Sequence, residues 1–264
     1  MTATTPRRAP VGDEPRRPAE PQRTGGLNRS PATPSATARG IVLPLIVVLL
    51  VVLAGLAIVA SPAITAWDLG VIQAVEGART PFLDAVALAD DLLFSPTAAV
   101  PIVGLISAAT WIARRRLGPA LALAALALLP WLGSSLVKGV VQRPRPLSAG
   151  LPHHVLTDTG FSFPSGHTSF AVALALALLI VFGQGRLRSP LIAFAVVAPL
   201  LTAFSRVYLG VHNPSDVLAS LVYATAAVLL VLGVLRLIAP PLERIPLIGQ
   251  GLDPAHGREP RRPR

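Results

Sequence analysis

The chain alternates between apolar runs of bilayer length and short polar breaks, and this alternation constrains its fold more than any other feature. Runs at 41–60, 92–113, 117–137, 167–182, 190–208 and 214–238 carry few charges. About 20 consecutive apolar residues in a helix span the ~30 Å hydrocarbon core of a bilayer. A hydrophobic content of 52% and a mean hydropathy of +0.63 lie outside the range of ordinary soluble domains. The expected fold class is all-α: a polytopic membrane helical bundle with six transmembrane helices and short interfacial helices. The interfacial helices are expected at 67–76 and 81–91, where Leu69, Ile72 and Val75, then Leu83, Val86 and Leu88, recur near helical spacing. The fourth run is short, which puts its first residue, His167, at or just below the membrane surface.

This pattern divides the chain into three segments. Residues 1–39 hold seven prolines and seven arginines with almost nothing large and apolar, so they read as a disordered, basic cytoplasmic tail. Residues 40–239 form the six-span domain, and 240–264 a second basic cytoplasmic tail. The long polar stretch before the first run, and that run's length, favour an uncleaved anchor over a cleaved signal peptide.

The net charge of +10 is mostly flanking charge: residues 1–40 contribute +4 and residues 236–264 contribute +3. Neither tail interleaves aromatics with its arginines, so no nucleic-acid partner is expected, and the basic excess reads as a topology signal with attraction to membrane lipids. With the N-terminus in the cytoplasm, 18 of the 23 basic residues fall on the inner side and five on the outer side. That asymmetry orients the bundle with both termini inside. The outer five are Arg79, Lys138, Arg143, Arg145 and Arg206, and all but Arg79 lie in polar clusters. The absence of cysteine excludes disulfides, thiolate metal sites and cysteine nucleophiles.

Three clusters stand at the ends of apolar runs on the outer face: residues 138–146 (KGVVQRPRP), 163–167 (FPSGH) and 205–216 (SRVYLGVHNPSD). Taken singly each has an ordinary explanation. Lys138 and Arg206 can snorkel to the headgroups, and Arg145 can belong to a basic loop stiffened by prolines. Ser165 can simply cap a helix, and Asp216, at the third position after an Asn213 cap and Pro214, can simply complement a helix dipole. Together they supply three cations, two histidines, a carboxylate and, at Gly166, a helix start open to a ligand, which suits a phosphate. A carboxylate fixed at Asp216 can also hold the His212 ring in one tautomer. His153, His154, His167 and His212 raise a zinc reading, but there is no HExxH pair and no acidic ligand cluster, so no metal is expected. His153 and His154 read as solvated loop or entrance residues, and Asp90 with Asp91 as an exposed helix end.

The residues resemble the signature of the type 2 phosphatidic acid phosphatase (PAP2) superfamily of integral membrane lipid phosphatases. Lys138, Arg145 and Pro146 match its first part, Pro164 to His167 its second, and Ser205, Arg206, His212 and Asp216 its third, all with matching spacing. The resemblance covers about residues 41–238. One departure lies at the start of the last run, where Ser220 and Ala224 stand in place of expected glycines. The resemblance implies that Lys138, Arg145, Ser165, Gly166 and Arg206 bind phosphate without a cofactor. It also implies that His212 attacks phosphorus to form a phosphohistidine, that Asp216 steadies it, and that His167 protonates the leaving oxygen. The implied substrate is a lipid phosphate at the outer face, with undecaprenyl diphosphate preferred and phosphatidic acid or phosphatidylglycerol phosphate as alternatives. A transporter is the non-enzyme alternative, and nothing in the sequence fixes the oligomeric state.

Overall fold

The computed structural model describes residues 1–2, 34–146, 160–246, 248 and 252–254. The expectations for most of the N-terminal tail, for His153 and His154, and for most of the C-terminal tail fall outside these residues. The chain divides into Met1–Ala32 and Thr33–Arg264, and every described helix belongs to the second unit.

The described residues form eight α-helices and no strand: α1 (Pro34–Val59), α2 (Pro62–Glu76), α3 (Pro81–Leu93), α4 (Pro96–Arg114), α5 (Leu117–Val141), α6 (Gly166–Phe182), α7 (Arg188–Tyr208) and α8 (Pro214–Leu242). Four of them begin with the same device. Ser61–Pro62, Thr80–Pro81, Ser95–Pro96 and Asn213–Pro214 each place a capping side chain before a proline at the first helical position, where its missing N–H costs nothing. The Ser61, Thr80 and Ser95 hydroxyls accept the amides of Ile64, Leu83 and Ala98 at 3.4, 3.2 and 3.2 Å.

Five helices are long and apolar enough to cross a membrane, within Arg39–Val59, Pro96–Arg114, Leu117–Val141, Gly185–Tyr208 and Pro214–Leu242. The sixth expected span is α6, whose 17 residues cover only about 25 Å at 1.5 Å per residue. This helix is apolar on every side, and Phe170, Ala171, Ala173, Ala175 and Ala177 are fully buried. A helix without a polar face belongs in the centre of a bundle, and α6 packs there with residues of α4, α5, α7 and α8. Leucines and valines of the outer helices, among them Leu53, Leu105, Leu136, Val197 and Leu229, stay exposed, as in a multi-pass membrane protein whose solvent is lipid.

Several boundaries differ from the sequence reading: α2 starts at Pro62 rather than 67, α4 starts at Pro96 rather than 92, and α5 runs to Val141 rather than 137. Helix α1 starts at Pro34, ahead of residue 41, and α8 runs through Pro240 and Pro241 to Leu242. Small residues let α1 lie close to its neighbours: a Cβ on Gly233 of α8 would stand 2.5 Å from the Gly40 carbonyl, and one on Gly55 would stand 2.5 Å from the Phe163 ring. Helices α2 and α3 cover the two segments expected to be interfacial helices, and both are packed into the bundle. Ile72 packs with Ala203, Val207 and Val217, and Ala87 packs with Tyr208, Leu209 and Val211. Both helices are thereby held against the C-terminal end of α7 and the turn after it.

Candidate active site

The three clusters meet at one end of the bundle, formed by the C-terminal ends of α5 and α7 and the N-terminal ends of α6 and α8. Ser165 caps α6, accepting from the amide of Thr168 at 3.4 Å and its hydroxyl at 3.1 Å. The first amides of α6, at Gly166 and His167, have no partner within the helix and stand at the positive end of its dipole. A Cβ on Gly166 would meet only ordinary contacts, with Lys138 Cε at 4.0 Å and Trp131 Nε1 at 3.9 Å.

Helix α7 ends at Tyr208, and in the turn after it Gly210 has a φ of 68°, in the left-handed region that glycine tolerates. The chain reverses, the amides of Val211 and His212 both reach the Arg206 carbonyl at 3.2 and 3.3 Å, and His212 is brought back over the site. Asn213 then starts α8, with its amide donating to Asp216 Oδ2 at 2.9 Å, as a capping box requires.

The charged residues of the three clusters have defined places. Lys138 donates to the Phe161 and Ser162 carbonyls at 2.9 and 3.2 Å. Arg145 donates to the Val211 carbonyl at 2.8 Å, and its Nη1 lies 3.1 Å from His212 Nε2. A guanidinium only donates, so Nε2 is the accepting nitrogen and the neutral ring carries its proton on Nδ1. Nδ1 faces Asp216 Oδ2 at 3.6 Å, which is an ion-pair distance and longer than a hydrogen bond. Burial, then the positive charges of Lys138, Arg145 and Arg206 and the His167 ring, push His212 well below the usual histidine value.

Arg206 is fully buried. Its Nη1 donates to Asp91 Oδ1, while Nε and Nη2 have no hydrogen-bond partner among the described residues. Two unsatisfied guanidinium donors in a buried place are costly unless something accepts them. His167 Nε2 also lies 3.1 Å from Asp91 Oδ1.

The sequence reading placed Asp90 and Asp91 at an exposed helix end, and the structure corrects this. Asp90 is buried and accepts from Thr202 Oγ1 at 2.9 Å, and its carboxyl is raised by burial. Asp91 sits among the functional groups. Burial alone would raise its carboxyl, but the His167 ring and the Arg206 charge outweigh it and hold the group at about 2. Two further residues escaped the sequence reading: Arg143, grouped there only by its charge, and Asp68 of α2. Arg143 is buried and donates to Asp68 Oδ2 at 2.7 Å and to Asp216 Oδ1 at 2.6 Å.

Ser220, which stands in place of an expected glycine, supplies a link. Ser220 Oγ accepts from the Ser165 amide at 2.7 Å and donates to the Asp216 carbonyl at 2.7 Å. It ties the start of α6 to α8, while Ala224 is fully buried in the same contact region.

An apolar helical bundle with cations, imidazoles and carboxylates gathered at one end defines a multi-pass membrane protein with a buried ionic site. Residues 118–237 match the PAP2 superfamily. The chain is 41% identical over 90 residues to the undecaprenyl-diphosphatase BcrC of Bacillus subtilis, across 34% of this chain and 44% of the relative. It is 40% identical over 80 residues to the phosphatidylglycerophosphatase B of Haemophilus influenzae, across 29% and 33%. The decaprenylphosphoryl-5-phosphoribose phosphatase of Mycobacterium tuberculosis is 38% identical over 82 residues, across 31% and 42%. The aligned regions thus span less than half the length of these relatives. The crystal structure of a transmembrane PAP2-type phosphatidylglycerolphosphate phosphatase from Bacillus subtilis shares the fold, with a TM-score of 0.59 and 24% identity over 76% of this chain and 96% of that one.

Proposed function

We propose that the protein is a membrane lipid phosphatase acting at the outer face through a phosphohistidine, with undecaprenyl diphosphate as its preferred substrate. The observation that carries this reading is Arg206, fully buried beside the two histidines, with Nε and Nη2 unpaired among the described residues. A terminal phosphate offers acceptors in the planar geometry a guanidinium matches. Lys138, Arg145 and the first amides of α6 complete the cradle, and the Ser165 hydroxyl adds a donor at its edge.

Arg145 sits on the His212 Nε2 lone pair at 3.1 Å. An arriving phosphate attracts the guanidinium to its own oxygens and exposes that lone pair. Nε2 then forms an N–P bond as the bond from phosphorus to the leaving oxygen breaks, and His167 gives that oxygen its proton. Water next attacks phosphorus and loses a proton to His167, and the N–P bond breaks to release phosphate. The fixed cations compensate the charge on the equatorial oxygens throughout. No step uses a metal ion, so chelators are expected to leave turnover intact.

The substrate preference rests on architecture and on relatives. A site at one end of an apolar bundle reaches a headgroup while the chains stay in lipid, and the relatives named above act on isoprenoid and glycerolipid phosphates. Phosphatidic acid or phosphatidylglycerol phosphate is the alternative substrate. A transporter is disfavoured because the charged groups gather at one end rather than at mid-bundle. The deciding experiment is phosphate release by the purified protein from undecaprenyl diphosphate, phosphatidic acid, phosphatidylglycerol phosphate and a soluble ester. Fastest turnover of the diphosphate is expected. Faster release from a glycerolipid phosphate overturns the isoprenoid preference, and release from the soluble ester alone overturns both lipid readings.

A further inference from the structure

Asp216 does not stand alone behind His212. Its Oδ1 is taken by Arg143 Nη1 at 2.6 Å, and its Oδ2 by the Asn213 amide and Nδ2 at 2.9 and 3.1 Å. Arg143 divides its fork, sending Nη2 to Asp68 of α2 at 2.7 Å. Ser215 closes the ring: its hydroxyl lies 2.7 Å from Arg143 Nη1 and donates to Asp68 Oδ2 at 2.6 Å, and its amide donates to Asp68 Oδ1 at 2.9 Å. The side chains of Asp68 and Asp216 are fully buried and that of Arg143 is 4% exposed, so solvent screens these charges weakly.

We infer that Arg143 and Asp68 are positioning residues that act through Asp216 on His212, fixing its carboxylate and setting the charge it presents to the ring. With both carboxylates ionised, the cluster carries one net negative charge. Arg143 alone beside Asp216 cancels the attraction for a proton on the ring, and Asp68 restores it. A purely architectural pair needs only Asp68 and Arg143; the divided fork spends half of the guanidinium on the carboxylate that faces His212. The other charged groups around the ring are Lys138 on α5, Arg145 in the segment after it, His167 on α6 and Arg206 on α7, with Asp91 of α3 facing His167 and Arg206. None of these changes when the cluster is altered, so its charge can be varied separately.

The inference rests on the proposed role of His212 as nucleophile, which must be neutral to attack. The acid limb of kcat/KM reports protonation of the free enzyme. The test is that limb for phosphate release from short-chain phosphatidic acid by the full-length protein in detergent. Arg143→Gln makes the cluster more negative and is expected to move the limb up by about one pH unit, while Asp68→Asn is expected to move it down by about the same amount. The double variant keeps the original net charge and should return the limb to its starting place. Shifts in the same direction, or equal loss at every pH without a shift, overturn the inference. Because an unpaired buried charge can prevent folding, Arg143→Lys and the double variant decide if either single variant fails to accumulate. In both, an unmoved limb is expected and a moved one overturns the inference. If His212→Ala still turns over, or the unaltered protein releases no phosphate, the phosphatase reading falls and this inference with it. If turnover depends on His212 but the limbs stay fixed, only the inference falls.

Discussion

His167 Nε2 and Asp91 Oδ1 lie 3.1 Å apart, and the same carboxylate oxygen accepts the buried Arg206 guanidinium. One side chain of α3 therefore touches both the proposed general acid and a proposed phosphate ligand. Asp91→Asn keeps the shape and removes the charge that favours a protonated imidazole. We expect kcat to fall by about tenfold, part of the ~10² to 10⁴ that general acid catalysis contributes. The loss should be larger on phosphatidic acid than on a diphosphate, whose departing oxygen needs a proton less. Steady-state kinetics on both substrates check this. A rise in KM with kcat unchanged would mean that Asp91 only orients Arg206.

How much of this was legible in the sequence depends on how far apart the partners lie. The helices were legible because capping residues, prolines and apolar runs act locally, and the motif residues were legible because their spacing is short and fixed. Asp68 and Arg143 are 75 residues apart, and Asp91 and Arg206 are 115 apart, so no local pattern joins them. Two signals were nevertheless present. Asp68 shares a helical face with Ile72 and Val75, which implied burial. Asp90 and Asp91 occupy the last turn of α3, where carboxylates oppose the helix dipole and call for compensating partners. Ser220 was read as a deviation because its role, receiving the Ser165 amide, depends on a contact 55 residues away.

Arg206→Lys keeps a positive charge but loses the two guanidinium donors that have no partner among the described residues. We expect kcat/KM to fall by at least about 10², the scale seen when one preorganised oxyanion donor is removed. Inhibition by inorganic phosphate and by vanadate should weaken in parallel. Near-normal kinetics in this variant would show that those donors do not meet the substrate.

His212 is held low by burial and by the surrounding cations, so its neutral, attacking form persists below pH 6.5. The acid limb of kcat/KM should therefore lie below 6.5, and the acid limb of kcat should lie above that of kcat/KM, because a bound anion favours the protonated ring. For stability the sign is the same: the unfolded chain takes up this proton first, so the contribution of neutral His212 is present above about pH 6.5. It is lost as pH falls toward the depressed folded value. Parallel pH–rate and thermal unfolding profiles test both statements.

The turn before α6 depends on two contacts from other helices. Ser220→Ala leaves the buried Ser165 amide without an acceptor and should cost about 1–3 kcal/mol. Gly55→Ala drives a methyl into the buried Phe163 ring and should cost about 1–3 kcal/mol through overpacking. Gly104→Ala, where a Cβ meets nothing within 4 Å, is the control and should be neutral or slightly stabilising. Thermal unfolding in detergent ranks the three variants, and equal values for all would refute the packing argument.

The orientation of the bundle sets which pool of substrate the site can reach. Arg114, Arg115, Arg116, Arg186 and Arg188 lie at the end of the bundle opposite His167 and His212, and basic segments remain on the cytoplasmic side. The chain has no cysteine, so single cysteines can be introduced against a silent background. Ser148→Cys, in the segment between α5 and α6, should react with a membrane-impermeant maleimide on intact cells. Ser189→Cys, at the start of α7 among the arginines, should react only after lysis. Neither position belongs to the ionic cluster, so retained phosphate release in each variant verifies that the labelled protein is folded. The reverse labelling pattern places the site in the cytoplasm and removes the outer-face substrate pool from the proposal, while leaving the chemistry of His212, His167 and Arg206 to be judged on turnover alone.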